Sequence, residues 1–195
     1  MIRLAVLFAW CATAAALAAS PSQDLGQKTG KGSDKGVKKV EASFAPAEAK
    51  PGQTVTYSVR VELKDGYHTY PTMQEDKGAE NFVNEFKFPK PDKVIFVGTV
   101  QDPKDAKSKF EKELKCTIQY CTGTVVYTRK AVVSPKAAAG MVTVAPEFNL
   151  SICDEDNCFP PKKLHPEATL KVLDGPAVPV EKVYVDEVKK ALDEK

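Results

Sequence analysis

Tryptophan and histidine are nearly absent from this chain of 195 residues, which has one Trp (Trp10) and two His (His68 and His165). With so few imidazoles, no nucleophile–base–acid set is discernible, and no pair of carboxylates stands out as catalytic. The Gly30-Lys31 pair has the wrong spacing for a phosphate loop, and no strand precedes it. A charge excess is missing too. Lys and Arg number 28 against 26 Asp and Glu, a formal net charge of +2. Binding by phosphate neutralisation needs a clear basic excess, so no nucleic-acid partner is expected. No internal repeat is evident. Beyond the N-terminal residues there is no long apolar run, so no membrane insertion is expected there. The 43% hydrophobic content is enough for one domain with a real core.

The N-terminus reads as an export signal. Arg3 precedes the apolar run LAVLFAWCATAAALA, and Ala16-Leu17-Ala18 has the small-x-small pattern of a signal-peptidase site. Residues 1–18 are therefore expected to be a cleaved signal peptide, with a retained N-terminal anchor as the alternative, and the protein to be periplasmic or secreted. Cys11 is expected to leave with it, because Trp10 before it is too large for a lipidation site. Residues 19–39 are Gly/Ser/Lys-rich and predict a flexible linker.

Residues 40–175 predict an all-β domain. In Thr54–Leu63, Val55, Tyr57, Val59, Val61 and Leu63 fall on one face and polar residues on the other, the signature of a half-buried strand. Further strands are expected at 40–44, 82–88, 94–100, 124–133, 141–152 and 168–173, punctuated by Pro and Gly. Many short strands with few helical patterns favour a two-sheet β-sandwich. Residues 176–195 form a C-terminal extension. There Val180, Tyr184, Val188 and Leu192, widened by Val183 and Ala191, make the stripe of a short amphipathic helix, with a frayed tail as the alternative.

Four cysteines remain after the signal: Cys116, Cys121, Cys153 and Cys158. An even number in an exported chain points to disulfide chemistry. Fully extended, Cys153 and Cys158 would stand roughly 17 Å apart, whereas a disulfide needs Cα atoms within about 7 Å. Asp154, Glu155, Asp156 and Asn157 suit the reversal that would bring them together. So short a loop contributes only about 2 kcal/mol through chain entropy, against about 4 for a long-range link. A tight, proline-flanked loop therefore suits a bond that opens and closes, although hairpin disulfides also brace folds. The three acids raise the thiol pKa, which fits a relay whose speed depends on docking to a partner with a basic rim. Cys116 and Cys121 repeat the spacing and are expected to form a second short disulfide. Crossed pairings and a zinc site are the alternatives, zinc being disfavoured by the wide gaps and by export.

The segment CDEDNCFPP (153–161) resembles the C-D-x-x-x-C-x-P-P signature of the N-terminal periplasmic domain of the DsbD thiol–disulfide interchange proteins. Upstream, VTYSVRVELKDGYHTY is similar to that family's strand ending in Gly-aromatic-His-x-Tyr, here Gly66, Tyr67, His68 and Tyr70. The similarity covers about residues 40–173. The resemblance implies an immunoglobulin-like β-sandwich with no cofactor. It also implies a Cys153/Cys158 redox pair that relays electrons between thioredoxin-like or DsbD-type protein thiol oxidoreductases. Cys158, followed by Phe159-Pro160-Pro161, matches the cysteine that forms the mixed disulfide. The family's aromatic cap loop corresponds to Thr117–Tyr120, with Tyr120 as the candidate cap. Cys116 and Cys121 bracket that cap, to lock it or to form a second redox pair. Full-length members continue into a transmembrane and a thioredoxin-like domain, whereas this chain stops at Lys195, so the expectation is a stand-alone module or one that has lost the electron route.

Tyr67, Tyr70 and Phe159 are candidates to line the redox pocket, with core packing as the plainer role for the tyrosines. His68 is either a proton donor near the cysteines or simply hydrogen-bonded at a strand end. His165 is expected in solvent. Asn149-Leu150-Ser151 fits a glycan acceptor, but its place on an apolar strand argues against that. A secreted immunoglobulin-like binding module with purely structural disulfides is the competing function.

Overall fold

The computed structural model describes residues 35–193. The signal peptide and most of the expected linker therefore lie outside the described residues. Among the described residues fourteen strands run in chain order: β1 (Val37–Ala45), β2 (Glu48–Ala49), β3 (Thr54–Leu63), β4 (His68–Thr69), β5 (Glu85–Lys87), β6 (Val94–Gln101) and β7 (Lys107–Glu111). Then come β8 (Cys116–Thr122), β9 (Thr124–Val133), β10 (Gly140–Val144), β11 (Glu147–Leu150), β12 (Ile152–Cys153), β13 (Lys162–Leu164) and β14 (Ala168–Val172), followed by helix α1 (Val185–Asp193).

Period-two alternation builds the frame. β1, β3, β9 and β6 form one antiparallel sheet in that order. The inward residues of β3 are each no more than 2% exposed, as are Val125, Tyr127, Ala131 and Val133 of β9. They share one core with Phe148, Leu150, Ile152, Ala168, Leu170 and Val172 from the facing strands. This is an all-β, immunoglobulin-like sandwich. Its second layer is divided into three ladders, ordered β10-β14-β2, β13-β11-β5 and β12-β4-β8-β7.

Local polar chemistry explains the division. The apolar stretch 141–152, expected as one strand, is interrupted at Pro146, which has no N–H to donate, and again at Ser151. The Ser151 N–H donates to Asn84 Oδ1, and its carbonyl accepts from Thr69 Oγ1, so its backbone groups are taken by side chains. The expected strand 82–88 is ordered as a strand only over β5. β1 begins at Val37, so the last three residues of the stretch read as linker belong to the sheet. The β7–β8 hairpin has no counterpart among the expected strands. β7 is exposed along Lys107–Phe110, so no inward-facing apolar set marks it.

The C-terminal extension does form a helix. Val188 and Ala191 bury against Ile95, Val97 and Val132 on the outer face of the frame sheet, with Val180, Tyr184 and Leu192 packed around them. β6 is thus covered on both faces, since Val94 and Phe96 point to the main core. Glu187 Oε2 accepts the Gly98 N–H at 2.9 Å, where β6 loses register with β9. Val183 is the exception to the expected stripe, being 72% exposed. Among the described residues no helix is long and apolar enough to cross a membrane.

Candidate functional site

Cys153 and Cys158 are joined by a disulfide, with Cα atoms 4.1 Å apart. The reversal between them is built by its own residues. Asp154 N–H donates to the Asn157 carbonyl at 2.9 Å, while Asp154 Oδ1 accepts the N–H groups of Asp156 (3.0 Å) and Asn157 (2.7 Å). One bond further out, Phe159 N–H meets the Ile152 carbonyl at 2.9 Å. The cysteines face each other as an antiparallel bridge at the neck of this hairpin. Its two backbone donors hold the Asp154 carboxyl below the usual carboxylate range, so the tip stays anionic.

The two cysteines live in different surroundings. Cys153 is 1% exposed, whereas Cys158 lies open to solvent. Tyr70, buried, has its hydroxyl 3.0 Å from Cys153 Sγ and 3.6 Å from Cys158 Sγ. A disulfide sulfur carries no hydrogen, so the tyrosine is the donor. Burial pushes the Tyr70 pKa up to about 12, which keeps that proton in place at neutral pH. His68 Nε2 lies 3.4 Å from the same hydroxyl, and an Nε2–H tautomer would donate to it, giving a chain His68 to Tyr70 to Cys153. Burial, then the nearby Lys109 charge, lowers the His68 pKa against an opposing pull from Asp154, which favours the neutral ring.

Strand pairing brings these groups together. Cys153 is opposite His68, and His68 is opposite Thr122, so β4 is the bridge between the disulfide and β8. The His68 ring packs edge-on against Tyr70 (5.6 Å) and Tyr120 (5.4 Å), and Tyr70 against Phe82 (5.5 Å). Tyr67 and Phe159 pack on each other at 6.3 Å, with the Lys35 ammonium 5.3 Å over the Phe159 ring. Tyr70 is therefore in contact with the sulfurs, His68 one bond behind it, and Tyr120 behind His68. Tyr67 and Phe159 make a separate aromatic pair beside the hairpin.

The second expected disulfide is not there. Cys116 and Cys121 are free, buried thiols. Thr117–Tyr120, expected as a cap loop, is the body of strand β8, so the pair is spread by about 16 Å and points to opposite faces. β8 is held straight on one side by β7 and on the other by a loop whose side chains imitate a strand. Gln74 accepts the Gln119 N–H and donates to its carbonyl, both at 2.8 Å, and Asp76 accepts the Thr117 N–H at 2.8 Å. Burial, with smaller contributions from Asp105 and Asp102, raises the Cys121 pKa to about 11. Burial, then the charges of Asp76 and Glu111, raises that of Cys116. Among the described residues no group of three or more His, Cys, Asp or Glu is placed to hold a metal ion.

Asn84 and Thr69 escaped the reading of the sequence. Both are buried polar residues next to the site, exposed by 1% and 0%. Thr69 stands between His68 and Tyr70 and Asn84 before Glu85, so neither interrupts an apolar run and no local pattern marks them.

The chain matches no family model and no curated protein. Among solved structures it is similar to the N-terminal periplasmic domain of ScsB from Proteus mirabilis, at 13% identity and a TM-score of 0.44, over 79% of this chain and 51% of that one. It is also similar to the 35 kDa C-terminal fragment of the major pilin GBS80 of Streptococcus agalactiae, at 10% identity and a TM-score of 0.34, over 72% of this chain and 55% of that one. The chain thus spans about half the length of either structure.

Proposed function

We propose that this protein is an exported thiol–disulfide exchange module that relays electrons through Cys153 and Cys158. A partner thiolate attacks the sulfur of Cys158, the exposed residue of the pair. The Cys153–Cys158 bond breaks, Cys153 departs as a thiolate with the bonding electron pair, and a mixed disulfide joins Cys158 to the partner. The partner's second thiolate then attacks its own sulfur in that mixed disulfide and expels Cys158. Two protons released by the partner's thiols end on Cys153 and Cys158. The partner dithiol becomes a disulfide and this pair becomes a dithiol. The supporting observation is the asymmetry of the pair, Cys158 being an exposed residue and Cys153 a buried one with the Tyr70 hydroxyl 3.0 Å from its sulfur. That hydroxyl would stabilise a departing thiolate, as charge-assisted hydrogen bonds do. The resemblance of 153–161 to the DsbD signature supports the same chemistry. It also suggests a periplasmic setting and thioredoxin-like partners, whose docking the anionic tip would select.

The reduction potential of the pair tests this. Exchange requires a value above about −300 mV, and a value well below that marks a structural bond and refutes the relay. Partners are found with Cys153→Ser, which leaves Cys158 to hold a mixed disulfide that cannot be resolved from within.

A further inference from the structure

We infer that Asn84 is a positioning residue for this site, tying the backbone that carries Tyr70 to the backbone that leads into Cys153. Resting on the exchange chemistry proposed above, this assigns a role to a residue that touches neither sulfur. Asn84 Nδ2 lies 2.6 Å from the Tyr70 carbonyl, 2.9 Å from Thr69 Oγ1 and 2.8 Å from the Tyr127 hydroxyl. On the other side, Asn84 Oδ1 accepts the Ser151 N–H at 2.8 Å, two residues before Cys153. The two Nδ2 hydrogens are shared among these three acceptors, and two hydroxyls carry the network onward. Tyr127 donates onward to the Tyr70 carbonyl at 2.6 Å, and Thr69 Oγ1 donates to the Ser151 carbonyl at 2.7 Å. The Ser151 N–H can only donate and the Tyr70 carbonyl can only accept, so the amide fits in one orientation, and a carboxylate would lack the donors. Burial keeps the Tyr127 hydroxyl protonated.

The need for such a clamp follows from the strands. β4 and β12 are two residues each, too short for their ladder to set a precise separation. Yet Tyr70 Oη must stay within hydrogen-bond reach of Cys153 Sγ, and hydrogen bonds weaken steeply once stretched or bent. A buried, fully satisfied network rigidifies what it joins. If the clamp loosens, the Tyr70–Cys153 contact lengthens and the departing thiolate loses its donor.

A double-mutant cycle tests the inference, reading the rate of disulfide reduction by dithiothreitol and the pH at which Cys153 ionises in the reduced protein. Tyr70→Phe and Asn84→Ala should each slow reduction about tenfold and raise that ionisation pH. The double variant should be no more than about twofold slower than Tyr70→Phe alone, because both changes remove one contact. An additive loss of about a hundredfold overturns the inference. So does an Asn84→Ala protein that melts earlier with rate and ionisation unchanged. If Asn84→Ala does not fold, Thr69→Val cuts the link to the Ser151 carbonyl and must show the same sign and the same non-additivity with Tyr70→Phe. Failure of the exchange function looks different, as a wild-type potential far below about −300 mV while the dithiothreitol rate still responds to Asn84.

Discussion

Two cysteine pairs in this protein have the same five-residue separation and opposite fates. Cys153 and Cys158 close a disulfide at the neck of a hairpin, while Cys116 and Cys121 sit at the ends of a strand as free thiols. The residues between them decide. Asp154–Asn157 satisfy their own backbone donors with an Asp carboxylate and turn the chain back. Thr117–Tyr120 are β-branched or aromatic apart from Gln119, prefer an extended chain, and find β7 on one side and Gln74 and Asp76 on the other. Spacing sets the reach between two thiols. Whether that reach is used depends on what the intervening backbone bonds to.

Exchanging the tips should break this contrast. With Asp154→Thr, Glu155→Ile, Asp156→Gln and Asn157→Tyr together, the oxidised protein should show four titratable thiols among these cysteines when unfolded, instead of the two of Cys116 and Cys121. A bond that still forms as readily would mean that the flanking strands, rather than the tip, impose the reversal.

A smaller but still large effect is expected in reactivity. In the reduced, folded protein, iodoacetamide at about pH 8 should label Cys158 and spare Cys121. Its raised pKa of about 11, against an ordinary 9.0, lowers its thiolate fraction about a hundredfold even before shielding is counted. Labelling of Cys121 should grow only as the pH climbs toward about 11. The sign carries over to stability. A folded-state pKa above the unfolded one favours the fold below pH 9.0, and that contribution is lost as the pH rises through about 11. Mass spectrometry that finds equal labelling of both residues would contradict the buried strand position.

The smallest expected effect concerns the support under β8. A Cβ at Gly78 would lie 2.7 Å from the Cys116 Cβ and 3.3 Å from Asp76 Oδ1, so something must shift. Gly78→Ala should therefore lower stability by about 1–3 kcal/mol in thermal or urea unfolding. It should leave the potential of the Cys153–Cys158 pair unaltered, because Gly78 touches the other pair. A changed potential would mean that the two cysteine regions are mechanically coupled.

Much of the frame was legible because its signals are short-range. Alternation over Thr54–Leu63 identifies one central strand, 124–133 stood among the expected strands, and the C-terminal stripe identifies the helix. The site was legible only in part. Gly66-Tyr67-His68 and Tyr70 stood out, and Tyr70 does reach the sulfurs, but Tyr67 sits apart with Phe159. Residues 107–111 gave no warning, since a strand exposed along its length carries no apolar period.

What the chain determined by itself is local: two faces on each long strand, an Asp-capped reversal between Cys153 and Cys158, and a helix with one apolar stripe. These follow from side-chain alternation and turn chemistry, which act over a few residues. Tertiary structure alone decided that Cys158 faces solvent while Cys153 is buried, that Tyr70 meets a sulfur 83 residues away in the chain, and that Asn84 joins the segments between them. Each of these is a contact between layers. A polar group's partner in a core is whichever group the packed layers bring within hydrogen-bond range, and no local pattern specifies that group in advance.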